Sequence, residues 1–381
     1  MNVNRLLDRK ILVDKYDKTL LWVLLLLVML GVVMIYSASV DGRLRQPEKE
    51  YYYVIRQCAF FSVSVFLAVI GFFTIPMKKL LNLTPWIVFF SLFLLVLVLL
   101  IGSDINGARR WINLGVVHLQ PAEFFKLAVI LYLSSYLYRK YEVVTQFKKV
   151  WFVGIIPALG ATFILLGGDL GSTVIVFIIT LTLLFIAGLR SSWFIIIILI
   201  GLLVATMAVV LAPYRVQRIT MFLHPETDPL GAGFQTIQSY VANANGGFWG
   251  VGLGNGMSRY GLPELHTDFI ASFITEELGF GFLMLLCLAY LWVVVRAFSI
   301  GKKASDLDLL FSSYVAKGVG IWTGIQAFFH IAINTGTLPT KGLTLPFVSY
   351  GGSSLLAMIL AAAILLRIDY ENRRKTLGFK L

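Results

Sequence analysis

The chain has 381 residues, 58% of them hydrophobic and 14% charged, and a formal net charge of +12. Soluble domains run nearer ~45–50% apolar and ~25% charged, so this composition excludes an ordinary soluble globule. It describes a polytopic membrane protein, one integral bundle over 1–381, in which the basic residues report orientation and not nucleic-acid binding.

A bilayer span needs about 20 mostly apolar residues. The charged opening segment 1–18 leads into an apolar run over 19–39 that lacks a small-residue cleavage site and reads as a retained helix. Further runs follow at 57–77 and 80–102. Residues 102–118, "GSDINGARRWINLGVVH", form a short polar connection, and the fourth run is taken over 111–138. Arg109, Arg110 and Trp111 fit either lipid-headgroup anchoring or bidentate recognition of a phosphate. Glu123 and Lys126 are three apart on one helical face, a local pair by default. Pro121 marks a helix start just before them.

Runs at 150–168 and 170–189 are joined by "GGDLG" around Asp169, and another covers 191–213. Residues 214–267 are the longest connection, opening with Arg215 and Arg218 and mixing apolar, aromatic and glycine-turn elements. A long connection of that composition is expected to be a structured element on the outer membrane face. It ends in "LPELHTDF", where Asp268 sits at the mouth of the run 268–295. Two readings of Asp268 are open, a cap at a helix N-terminus and a functional carboxylate. Glu264 and His266 read as loop residues beside it. Glu276 and Glu277 lie two turns deeper, and a charge at that depth needs a partner or a polar cavity. Lys317, in the run 309–334, is the partner this spacing suggests. "NTGTLPTKGLTLPFVSYGGSS", 334–354, holds Lys341 and Ser349 before the last run, 346–366. Irregular backbone of that kind is expected as a cavity wall.

Ten helices result, an all-α fold with N-terminus and C-terminus both inside, and the tail 367–381 cytoplasmic. Twenty lysines and arginines fall on the inner side against ten outside. The two cysteines and four histidines show no metal-ligand spacing and no disulfide framework.

Taken in order, "YSAS", "NGARRWI", "QPAEFFKLA", "YRVQRITMFLHPETDPLGAGFQTIQS", "LPELHTDF", "EELG" and "LPTKGLTLPFVSYGGSS" resemble the SEDS family (shape, elongation, division and sporulation) over nearly the whole chain. These are membrane glycosyltransferases that polymerise peptidoglycan from lipid II, and "LPTKGLTLPF" looks like the division-type branch more than the elongation type. Ala122 departs from the family's usual serine, and His330 stands where asparagine is common. "ANANGG" and "GMSRYG" also depart from the pattern.

The resemblance implies an inverting polymerase in the bacterial plasma membrane, active at the division septum, with Asp268 as the catalytic acid/base. Substrate contacts are then expected from Arg109, Trp111, Arg215, Arg218, Glu264, His266, Lys341 and Ser349, and a structural polar core from Glu123, Lys126, Glu276 and Lys317. It implies a class B penicillin-binding protein, other divisome proteins and membrane lipids as partners. It leaves room for a divalent cation, magnesium or manganese, at the diphosphate, without a dedicated cage. The competing readings are a lipid II flippase, an elongation-type polymerase and an inactive scaffold.

Overall fold

The computed structural model describes residues 16–39, 51–105, 108–115, 117–140, 147–231 and 233–379. Most of the opening segment, together with Arg43, Arg45, Lys49 and Lys380, which entered the orientation count, lies outside the described residues.

Twelve α-helices are described: α1 Lys18–Ser39, α2 Tyr52–Thr74, α3 Met77–Ile101, α4 Pro121–Arg139, α5 Phe147–Leu166, α6 Leu170–Ile186, α7 Ser191–Val210, α8 Pro213–Leu223, α9 Phe234–Gly246, α10 Ile270–Asp306, α11 Leu310–Asn334 and α12 Gly352–Thr376. Each of the ten expected runs overlaps one of these helices, while α8 and α9 fall in the long connection. Six helices, α1, α2, α3, α7, α10 and α12, are long and apolar enough to cross a membrane by length and composition.

Burial sorts the helices into layers. In α4, 14 residues including Glu123 and Lys126 are buried, and α11 is buried along most of its length; together with α6 and α12 they form the centre. α7 has no fully buried residue; Trp193, Phe194 and Ile197 pack on the bundle and most of its remaining apolar side chains face outward, as in a helix that offers its surface to lipid. Lys126 Nζ bonds Glu123 Oε1 at 2.7 Å and Gln326 Oε1 at 2.8 Å, so a fully buried ammonium is satisfied by two oxygens.

The fourth helix starts at Pro121, ten residues later than the expected 111. The segment before it is a small antiparallel sheet of β1 Ser103–Ile105, β2 Ala108–Asn113 and β3 His118–Leu119, in the order β1-β2-β3. Hydropathy cannot separate a short strand from a helical turn here, because Trp111, Ile112 and Leu114 suit both. Pro121 then occupies the first helical position, where its missing N–H costs nothing.

α10 runs on to Asp306 and is broken at Gly279, whose φ of 85° and ψ of 166° are not helical. A Cβ there would lie 2.3 Å from the Phe248 carbonyl oxygen, so both the conformation and the close approach require glycine. The break lets the 247–258 segment lie along the end of the first half of α10. Val251 N and Gly252 N donate to the Glu276 and Glu277 carbonyls at 2.9 Å each. The two carboxylates are turned to the same segment. Glu276 accepts from Met257 N at 3.0 Å and Ser258 N at 3.1 Å, and Glu277 from Gly254 N at 3.0 Å and Gly256 N at 3.3 Å. Ser37 Oγ on α1 donates to Glu277 as well, at 2.7 Å. The expected pairing with Lys317 does not occur. Lys317 packs on Gly301, on the order of 35 Å along α10 from Glu276 at 1.5 Å per residue.

Candidate active site

An open cleft of about 540 Å³ is lined by Arg110, by Gly168 to Gly171 at the start of α6, by Val209, Arg215, Arg218 and Ile219, and by Pro339 to Gly342. Each cation arrives by a different local rule. Successive strand side chains point to opposite faces, so of the two arginines on β2 only one can face the cleft, and it is Arg110. Its Nη2 donates to the Gly168 carbonyl at 2.6 Å, and its buried Nε has no hydrogen-bond partner. Arg109 turns the other way, half exposed, with Nη1 on the Leu99 carbonyl at 3.3 Å and Nε 3.9 Å from Asp104. Of the pair, Arg110 lines the cleft and Arg109 does not. Trp111 does not line the cleft; its ring lies 6.0 Å from the Arg110 guanidinium carbon.

Arg215 and Arg218 are three apart on α8 and share a face with Ile219. Arg215 is oriented by Ala208 O at 2.7 Å, which ties α8 to the end of α7. Lys341 sits in the irregular segment between α11 and α12, part of which forms one wall as expected. Burial pulls its ammonium pKa down, Arg215 and Arg218 add to that, and Asp169 opposes it. Asp169 caps α6, accepting from Ser172 N at 3.0 Å and Ser172 Oγ at 2.8 Å. Four cations against one carboxylate make the cleft a site for an anion. In the sequence Asp169 marks only the join between two runs, yet an aspartate directly before an apolar run is an N-cap signal.

Asp268 adjoins this cleft. A Cβ on Gly342 would lie 3.1 Å from Asp268 Oδ2 and 3.7 Å from Arg110 Nη1, so the carboxylate and the guanidinium meet over one glycine. The capping reading is not realised: α10 begins at Ile270 after Phe269, with no side-chain cap. Asp268 sits on a preceding turn, its N–H on the Glu264 carbonyl at 2.9 Å. Burial pushes its carboxyl up to about 7, with Glu264 and more weakly Asp169 raising it and Arg110 and Arg218 drawing it down.

The remaining expected contacts support the turn. Glu264 is exposed, holds φ at 55° and accepts from Thr267 Oγ1 at 2.9 Å. The His266 ring packs 4.0 Å from Tyr53 and 5.6 Å from Tyr350, and burial lowers its pKa. Ser349 is buried and bonds Thr267 O at 2.8 Å and Leu345 N at 2.7 Å, which makes it a brace with no face toward the cleft. Among the described residues no three His, Cys, Asp or Glu side chains converge to hold a metal ion.

A bundle of apolar helices that brings a cation-lined cleft against a buried carboxylate is the architecture of an integral membrane protein. The chain belongs to the FtsW/RodA/SpoVE family, described as cell cycle proteins, whose profile matches residues 18–374. It is 43% identical to the probable peptidoglycan glycosyltransferase FtsW of Neisseria gonorrhoeae strain NCCP11945, over 99% of this chain and 90% of that protein. It is 41% identical to the protein of the same name from Escherichia coli O6:H1, over 94% and 87%. The fold is similar to a chain solved in "Structural coordination of polymerization and crosslinking by a peptidoglycan synthase complex", with TM-score 0.78, 29% identity and coverage of 94% and 98%. It is also similar to the rod shape determining protein RodA of Thermus thermophilus, with TM-score 0.68, 25% identity and coverage of 94% and 97%.

Proposed function

We infer that this chain is a peptidoglycan glycosyltransferase of the division type, joining lipid II disaccharides into β-1,4 glycan strands and releasing undecaprenyl diphosphate. The observation that carries this is the approach of Asp268 and Arg110 to Gly342, at the edge of the cleft that also holds Arg215, Arg218 and Lys341. The acceptor sugar offers a 4-hydroxyl, and the donor offers an anomeric carbon bearing an α-linked diphosphate. Forming a β bond inverts that carbon, so one in-line displacement suffices: the hydroxyl oxygen bonds to the carbon, the carbon–oxygen bond to the diphosphate breaks, and the hydroxyl proton leaves to a base. Asp268 is that base, its pKa near 7 matching the working pH. The cleft cations hold the diphosphate and stabilise the charge that grows on it.

The chain works in the plasma membrane at the septum, with ten spans and both termini inside. A cross-linking partner, a class B penicillin-binding protein, fits a relative that is described within a synthase coordinating polymerisation and cross-linking. A flippase path would draw on the polar groups inside the bundle, and these are engaged: Glu123 and Lys126 bond each other, and Glu276 and Glu277 bond the 254–258 backbone.

The test is incubation of the purified protein with lipid II, followed by product sizing. Glycan strands from the wild type are expected, and from Asp268→Asn a rate lower on the order of 10²-fold or more. Headgroup movement in liposomes without polymer would replace the polymerase with a flippase, and an Asp268→Asn rate within about tenfold of wild type would remove the base assignment.

A further inference from the structure

Gln326, His330 and Asn334 follow one another at intervals of four on α11, and all three are buried. That spacing sets them on one face of the helix, with ~12 Å from first to last. All three reach out of the helix to hold backbone of the candidate site. Gln326 Nε2 donates to Thr344 O and Oγ1 at 3.1 Å each, while its Oε1 accepts from Lys126 Nζ and Trp322 Nε1 at 2.8 Å each. His330 Nδ1 lies 2.6 Å from the Leu343 carbonyl. A carbonyl only accepts, so the ring proton sits on Nδ1. Asn334 Nδ2 donates to the Asp268 carbonyl at 2.9 Å, and its Oδ1 accepts from Ser272 N at 3.0 Å.

We propose that this face of α11 is a ruler that fixes the separation of Asp268 from the loop carrying Lys341 and Gly342, with Asn334 and His330 as its positioning residues. It rests on the polymerase reading above. Asp268 lies on a turn and Lys341 in an irregular segment, so neither is fixed by a ladder of its own. Both are instead bonded to the same straight helix, Asp268 through its carbonyl and the loop through Leu343 and Thr344. A Cβ on Gly342 would lie 3.1 Å from Asp268 Oδ2, closer than an ordinary contact, so the separation has little slack. A displacement of ~1 Å at a reacting group costs on the order of 10²-fold in rate, and a helix is a stiffer support than a loop. Asparagine suits the end position because one amide supplies both the donor for Asp268 and the acceptor for Ser272.

The experiment measures lipid II polymerisation by the purified full chain across pH, with wild type, Asn334→Ala, His330→Leu and His330→Asn, each normalised to folded protein. Asn334→Ala and His330→Leu are expected to lower kcat by about 10-fold or more with KM within about twofold, because the ruler acts in the transition state and not in substrate binding. In both, the acidic limb of the pH–rate profile moves by about half a unit or more, since the surroundings of Asp268 change. His330→Asn keeps an N–H donor and recovers most of the rate, asparagine being common at this position in the family the sequence resembles.

A folded Asn334→Ala or His330→Leu protein with wild-type kcat and an unmoved acidic limb overturns the ruler, as does a change confined to KM or a His330→Asn protein no better than His330→Leu. Should Asn334→Ala fail to fold, the two His330 variants decide alone. Wild type and Asp268→Asn run alongside: a wild type that makes no polymer sinks the polymerase reading itself, whereas an active wild type with unaffected ruler variants sinks only the ruler.

Discussion

Asp268 is worth following through its proton. Its folded-state pKa of about 7 stands above the ordinary 3.8, so the folded protein binds the proton more tightly than the unfolded chain does. The stability this contributes is fully present below the unfolded value and is lost as pH rises through about 7. Activity has the opposite slope, because a base must be unprotonated. Polymerisation is expected to rise with pH to a plateau above about 7, and a pH–rate profile checks the position of that limb. Asp268→Asn is expected to lower the rate on the order of 10²–10⁴-fold. The same variant should flatten the loss of thermal stability between about pH 4 and 7 that the linkage predicts, which a melting series reads directly. The two arginines of β2 give a second test at this scale. Arg110→Ala should cost on the order of 10²-fold in kcat/KM, while Arg109→Ala stays within a few-fold, its side chain lying outside the cleft. The sequence marks the arginine pair, and the structure places Arg110 and not Arg109 on the cleft. The register that decides between them comes from strand pairing with β1 and the docking of β2 on Gly167, neither of which is local to the pair.

Among the elements, the helices were legible because each is set by its own hydropathy, and all ten expected runs overlap described helices. The three strands were not, since they are two to six residues long and owe their pairing to each other. The partners of Glu276 and Glu277 were equally hidden, because backbone amides leave no trace in the side-chain sequence. Gly279 and Gly71 separate two kinds of glycine inside helices. Gly279→Ala puts a Cβ 2.3 Å from a carbonyl at a φ of 85° and should destabilise by about 1–3 kcal/mol. Gly71 has nothing within 4 Å of a new Cβ, and Gly71→Ala should be neutral or stabilising by up to ~1 kcal/mol. Thermal melts of the two variants in one detergent make the comparison. Lys126→Met leaves Glu123 buried without its cation and is expected to cost on the order of 3–5 kcal/mol. Adding Glu123→Gln should recover part of that loss in the same melts.

For the whole molecule, the cleft assembles from five separate stretches of chain, which no single motif could have announced. Orientation is open to a direct check. With Cys58 and Cys287 replaced, a cysteine at Leu253 should react in intact cells with a membrane-impermeant thiol reagent, and one at Lys302 should not. Leu253 is 55% exposed, and the two positions lie toward opposite ends of the inferred span. Labelling at Lys302 instead would invert the topology.

The segment bound to Glu276 and Glu277 has one more consequence. Those carboxylates grip it mainly through main-chain N–H groups of residues 254 to 258, and a peptide amide is the same whichever side chain it carries. Its path thus depends on the glycines that permit it, Gly250, Gly252 and Gly254 at positive φ and Gly256 packed against Phe273, and not on the side chains between them. Substitutions at exposed Leu253, Asn255 or Met257 alter what the segment presents to the outside while its course stays fixed.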